Sequence, residues 1–292
     1  MINDMRKSYS ESVVIFLDLL GTKSRVHDFG KAYKTQRIFL DVIETESHLN
    51  AIHPKSIYER FVTVFSDCSY IIYDYKPDTP DAQKDKRKLL LIACDNTEKI
   101  ICTLLQQGVL VRGGLTYGKV FHEKSCDNNT LCFGEAMNEA YKLEHEVAVV
   151  PRVVVEKDCA QEVIALTANL RTGDPSGWYE HYNIVVQDNV RKDGEYIINF
   201  MNALERGFAT VYGDLMLRKI DEMCQAEKQM HRSPHICEKY TWLEQFVKGH
   251  NSKKFSNIEM TDAQKAILTA QGIDYNYYDA SKSQEEQLLE DV

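Results

Sequence analysis

The sequence predicts an α+β fold, with helices layered over a mainly antiparallel sheet. Two observations carry the prediction. Short apolar, β-branched runs alternate with segments of helical period in the order strand, helix, strand pair, helix, strand pair, helix, strand. The length of 292 residues, 43% hydrophobic, suffices for one large domain with a buried core plus an appendage.

Taken in order, residues 12–20 (SVVIFLDLL) read as a buried strand, with Gly21 after it. Apolar positions at Ile38, Val42, Ile43, Leu49 and Ile52 predict a helix over 31–52. Residues 58–73 read as two strands joined at a tight turn near Ser66 and Asp67. The polar segment 74–87, with two prolines, reads as a loop, and 88–107 as an apolar helix. Residues 109–121 form a strand containing Gly113 and Gly114, and 123–130 a polar loop. Residues 133–145 are expected to be helical, entered through Gly134. A strand at 152–156, a short helix at 158–169, a hairpin over 181–200 around Asp193-Gly194 and a helix over 203–230 follow. The remainder reads as polar and weakly helical with an acidic end, so the expected organisation is a domain over 10–222 and an α-helical extension over 223–292.

Net charge is -9, which gives no electrostatic footprint for nucleic acid or an anionic membrane. It leaves a nucleotide ligand open, because a bound metal and a few local cations can neutralise a triphosphate. The eight cysteines form no CxxC pair and no Cys/His cluster at zinc spacing. No apolar stretch approaches the roughly 20 residues of a membrane span. The reading is a soluble cytoplasmic protein with reduced thiols.

Two carboxylates stand out. Asp18 lies inside the apolar run VVIFLDLLG, and Asp67 lies between two strand-like runs in FVTVFSDCSYII. A charge in such surroundings is costly unless paired or metal-bound. One such residue could simply cap a turn; two favour a shared divalent cation, and oxygen ligands suit Mg²⁺ or Mn²⁺. Gly21 and Thr22 follow the first Asp strand, where backbone amides of a tight turn can hold phosphate oxygens, though a glycine after a strand is also an ordinary turn. Arg112 precedes two glycines that permit close approach of a ligand or another backbone; a bulge with Arg112 paired to a surface acid is the alternative. Asn138 and Lys142 are four residues apart and share a helix face, suited to sugar and phosphate, while Lys142 with Glu146 could equally be a helical ion pair.

In this order the segments VIFLDLLG (14–21), Ser66-Asp67, RGGLTYG (112–118) and GEAMNEAYKL (134–143) resemble the motifs of the class III nucleotidyl cyclase domain. The resemblance implies a ferredoxin-like βαββαβ sandwich that works as a head-to-tail homodimer. It implies that Asp18 and Asp67, with the Leu19 carbonyl, hold two Mg²⁺ or Mn²⁺ ions per active site. Leu19, Leu20, Gly21, Thr22 and Arg112 would bind the terminal phosphates. Asn138 would orient the ribose and Lys142 would neutralise charge at the α-phosphate, both supplied by the second chain. The sequence departs from the family at three places. Lys142 replaces the usual Arg, and Thr63 and Leu131 stand where adenine-specific members carry base-reading side chains.

Those departures, with the RGG strand and the AYKLE helix, are more similar to the bacterial pyrimidine cyclases of the Pycsar anti-phage systems. That similarity implies UTP or CTP as substrate, with uridine favoured by family prevalence, and a cyclic nucleotide product that activates a separate effector. Thr63 is placed at the pyrimidine edge, with Tyr58, Arg60 and Phe65 near the base pocket. The alternatives are an adenylate or guanylate cyclase with an altered base pocket, or a non-catalytic nucleotide-binding module of the same fold.

Overall fold

A computed structural model describes residues 8–22, 26–52, 57–124, 130–173, 182–205, 210–230 and 233–250. The acidic tail read from the sequence lies outside the described residues. Strand β1 (Ser10–Leu19) leads to α1 (Phe29–Ile52), then β2 (Tyr58–Phe65) and β3 (Cys68–Tyr75). Helix α2 (Lys86–Gln106) leads to β4 (Val111–Lys124) and β5 (Thr130–Phe133). Helix α3 (Glu135–Lys142), β6 (Val153–Val155), α4 (Lys157–Gly173), β7 (Val185–Gln187) and β8 (Tyr196–Ile198) follow. The chain then forms α5 (Asn202–Glu205), α6 (Thr210–Met230) and α7 (Pro234–His250).

The strands form one sheet in the order β2-β3-β1-β4-β6-β8-β7, with β5 paired to the far end of β4. Strand β1 is antiparallel to both β3 and β4, and β2 is antiparallel to β3. This is the ferredoxin-like βαββαβ arrangement: α1 leads to β2, whose hairpin partner β3 pairs with β1, and α2 leads to β4, which pairs with β1 directly. The β4–β6 pair is parallel, so the sheet is mixed at that seam. A central strand covered on both faces needs no polar alternation, which explains the unbroken run Val13–Leu17.

The two faces of the sheet differ. Val13, Ile15 and Leu17 point into the main core, built with α1, α2, α4, α6 and α7. Val14 and Phe16 point to the other face, where Ala136, Met137 and Ala140 of α3 form a smaller cluster. Phe65 and Tyr141 stay 46% exposed beside Phe16 on that thinly covered face.

Three differences from the sequence expectation have local causes. Residues 130–133 pair back on β4 before the helix starts, so α3 begins at Glu135. After Lys142 the backbone widens into a π turn over Leu143–Val147, closed by the Ala148 N–H donating to the Leu143 carbonyl at 2.9 Å. The segment after residue 231 is not weakly helical throughout: α7 buries Trp242, Leu243, Phe246 and Val247 in the main core.

Candidate functional site

Asp18 is the last even-numbered residue of β1, so it shares a face with Val14 and Phe16 and reaches the strand's end. The register sets it opposite Cys68 of β3 on one side and Arg112 of β4 on the other. The β2–β3 turn swings Asp67 to the same end, where the Leu19 N–H donates to the Asp67 carbonyl at 2.9 Å. That turn is tight enough to put Ser66 at a positive φ of 54°. The Thr22 hydroxyl donates to Asp67 Oδ2 at 2.5 Å and the Ser66 hydroxyl to Oδ1 at 3.0 Å. Gly21 adopts φ +82°, the left-handed region that lets the chain fold back over the turn.

The electrostatics are those of a crowded acidic site. Burial raises the Asp18 pKa above its ordinary value; the neighbouring Arg112 charge pulls it down and Asp67 pushes it up. Ligand atoms of Asp18, Asp67 and Cys68 all lie within 4.8 Å of one another. Burial, helped by the nearby carboxylates, pushes the Cys68 thiol up to about 11, so it remains a neutral thiol. Two of the three donors are carboxylate oxygens, the ligands preferred by a hard divalent cation such as Mg²⁺ or Mn²⁺. A cation here also relieves the repulsion between the two carboxylates.

Arg112 bridges two acids. Its guanidinium reaches Asp18 Oδ2 at 3.2 Å and lies 2.6 Å from Glu144 Oε1. Glu144 stands in the π turn and is 2% exposed, and burial raises its carboxyl to about 7. The glycines after Arg112 have a steric role: a Cβ on Gly114 would come within 2.3 Å of the Ala140 carbonyl. Gly114 thereby allows α3 and its π turn to lie against β4, while Gly113, on the other face, lies against Phe16, Leu17 and Val153.

A cavity of about 930 Å³ opens above these groups. Asp18, Leu19, Leu20, Gly21, Thr22, Asp67 and Arg112 line it, so seven of the sequence-predicted positions converge. The remaining ones do not. Asn138 and Lys142 lie on the exposed side of α3, outside the cavity lining; Lys142 pairs with Glu139 at 3.7 Å rather than with Glu146. Thr63 pairs with Tyr70 on the same sheet face as Asp18, outside the lining. Tyr58 and Arg60 face the main core, where Arg60 lies over the Tyr73 ring. Leu131 is 55% exposed on β5. The sequence reading missed Glu144 and the cavity residues His27, Asp28, Lys31, His235, Lys239 and Tyr240. Glu144 falls within the quoted helix motif; the α7 residues carry no local signal, because only the fold brings them to Asp18.

No protein-family model and no curated protein matches the chain. Among solved structures, it is similar to the adenylyl cyclase CyaB from Pseudomonas aeruginosa, at 14% identity over 54% of this chain and 83% of that one, TM-score 0.39. It is similar to the guanylate cyclase domain of RhGC from Catenaria anguillulae in complex with GTP, at 12% identity over 66% and 98%, TM-score 0.41. It is also similar to the guanylyl cyclase domain of RhoGC from Blastocladiella emersonii, at 14% identity over 55% and 86%, TM-score 0.41. The fold class stands on the strand order and strand directions described above.

Proposed function

We propose that this chain is a nucleotidyl cyclase that converts a pyrimidine nucleoside triphosphate, UTP or CTP, to its 3′,5′-cyclic nucleotide and pyrophosphate. One observation carries the reading: a carboxylate at the end of β1 and another in the β2–β3 turn converge with a glycine turn and an arginine along one cavity. Its volume of about 930 Å³ falls within the roughly 300–1,000 Å³ typical of small-molecule sites.

Asp18 and Asp67 would hold the metal ions, together with the Leu19 carbonyl. When bound, Mg²⁺ or Mn²⁺ lowers the pKa of the ribose 3′-hydroxyl and neutralises triphosphate charge. The turn amides of residues 19–22 and the Arg112 guanidinium bind the terminal phosphates. The 3′ hydroxyl gives its proton to water, its oxygen attacks the α-phosphorus in line, the bond to the bridging oxygen breaks, and pyrophosphate leaves.

Asn138 and Lys142 complete the site from a second copy in a head-to-tail homodimer. Their position on the exposed side of α3, away from the cavity of their own chain, supports this arrangement, as do the exposed Phe65 and Tyr141 between the two regions. Lys142 contributes a point charge to the α-phosphate where an arginine would chelate it. Thr63 on the open sheet face offers a hydroxyl to a pyrimidine edge as donor or acceptor. By its resemblance to the Pycsar cyclases, the product serves as a second messenger that activates a separate effector in anti-phage defence, in the cytoplasm. Among the described residues no helix is long and apolar enough to cross a membrane.

The test is incubation of purified protein with each of ATP, GTP, CTP and UTP plus Mn²⁺, followed by chromatography. Cyclic UMP or cyclic CMP as the main product is the expected result. Cyclic AMP or cyclic GMP would keep the cyclase and overturn the pyrimidine reading. Absence of any cyclic product, with wild-type dimer present, would favour a nucleotide-binding module.

A further inference from the structure

Helix α7 lies outside the motif region, yet it forms one wall of the cavity that holds Asp18 and Asp67. At 3.6 residues per turn, Ile236, Lys239 and Tyr240 fall on the same face of α7 as Leu243, Phe246 and Val247. The C-terminal half of that face is core, with Leu243 at 0% and Phe246 at 2% exposure. Its N-terminal half turns to the cavity and presents an ammonium group.

The helix is fixed in this pose by polar contacts as well as packing. The Trp242 indole N–H donates to Asp188 Oδ2 at 2.9 Å, and the same carboxylate binds Arg152 at 2.6 Å. Arg191 holds Glu238, the residue before Lys239, at 2.6 Å. Lys239 is therefore carried to the cavity by a rigid element, not by a loose surface chain.

The other cavity lysine and arginine are already paired. Arg112 binds Asp18 and Glu144, and Lys31 binds Asp28. Lys239 makes no ion pair among the described residues. Burial and the Arg112 charge hold its pKa below the ordinary lysine value, while Asp18 opposes them. Two cations converging in a half-buried cavity repel each other unless an anion lies between them. The opposite wall carries the acids suited to metal ions, so the cavity has a cation-holding side and a phosphate-holding side.

We propose that Lys239 is a triphosphate-binding residue, donated by the C-terminal helix of the same chain to the terminal phosphates of the nucleotide. The proposal rests on the cyclase reading and adds to it: the segment after residue 222 completes the active site instead of merely extending the domain.

The experiment measures binding of inorganic tripolyphosphate, in the presence of Mn²⁺, to the full chain by titration calorimetry. It compares wild type with Lys239→Met and Lys239→Arg; methionine keeps the helix propensity and most of the side-chain length. Loss of one charge-assisted contact predicts binding weakened about tenfold in Lys239→Met, with KM for the nucleotide raised by a similar factor and kcat changed less. Lys239→Arg restores both, and binding of Mn²⁺ alone is not weakened. Equal tripolyphosphate affinity in wild type and a folded Lys239→Met variant overturns the role of Lys239 and leaves the cyclase reading standing. A wild-type protein that binds no tripolyphosphate with Mn²⁺ and turns over no nucleotide overturns both.

Discussion

Arg112 of β4 faces Asp18 of β1 across an antiparallel pair, and its guanidinium lies 3.2 Å from the Asp18 carboxylate. An arginine in that place competes with a metal ion for the same oxygen. It also offers the positive charge that a triphosphate needs beside the metal. Arg112→Met is therefore expected to separate the two roles. Binding of Mn²⁺ alone should tighten about tenfold once the repelling charge is gone, while nucleotide turnover falls at least about tenfold. Electron paramagnetic resonance titration of free Mn²⁺ reads the first and a turnover assay the second. Weaker Mn²⁺ binding in the variant would show that Arg112 organises the carboxylates and does not oppose the metal.

Asp18 and Asp67 crowd each other, and burial makes ionisation of Asp18 unfavourable. Replacing either with asparagine removes a ligand and also relieves that repulsion. Asp18→Asn and Asp67→Asn should each reduce turnover at least about a hundredfold. The metal-free Asp18→Asn protein should melt no lower than wild type, because the lost ion pair to Arg112 is offset by the lost desolvation and repulsion. Thermal melts in EDTA beside a turnover assay check both; a variant with full activity would remove Asp18 from the site.

Much of this site was legible because its determinants are local. A carboxylate inside an apolar strand, a tight turn with an acid and a glycine pair after an arginine each signal themselves over a few residues. Their meeting at one strand end follows from the βαββαβ order. Base-pocket positions were less legible: Tyr58 and Arg60 sit four and two residues from Val62 and share its core-facing parity, whereas Thr63 falls on the open face. Alternation fixed their side of the sheet once the strand register was known, and proximity in sequence did not. The α7 wall was illegible for another reason. Lys239 lies more than 200 residues from Asp18, and its role depends on Trp242, Leu243 and Phe246 anchoring the helix in the core.

Gly114 sets the separation of α3 from the sheet. A methyl group on Gly114 would lie 2.3 Å from the Ala140 carbonyl and 2.6 Å from the Leu143 Cβ, fixed parts of the helix and of its π turn. Gly118, on the same strand and face, would place its Cβ 3.5 Å from the Ala136 Cβ, an ordinary contact. Gly114→Ala should therefore destabilise the fold by about 1–3 kcal/mol, and Gly118→Ala by less than about 0.5 kcal/mol. Urea unfolding of the two variants makes the comparison. Equal stability would mean that α3 shifts freely against β4.

Glu144 links the site to pH. Its carboxyl is raised from 4.5 to about 7 by burial in the π turn, against the pull of Arg112. The folded chain therefore holds this proton when the unfolded chain has released it. Between pH 4.5 and about 7 the native state binds more protons, so stability from this group falls as pH rises across that window and levels off above it. The shift corresponds to a loss on the order of 3 kcal/mol. Glu144→Gln keeps the shape of the side chain and cannot ionise. Its stability relative to wild type should grow more favourable from pH 5 to pH 8 by an amount of that order, measured by urea unfolding in EDTA. The protonated acid leaves the guanidinium charge to Asp18 and to a bound phosphate. Turnover of the wild type should then decline toward high pH with a component near pH 7 that Glu144→Gln lacks. An identical pH dependence of stability in the two proteins would place the Glu144 carboxylate in its ionised form throughout, held by Arg112 at 2.6 Å.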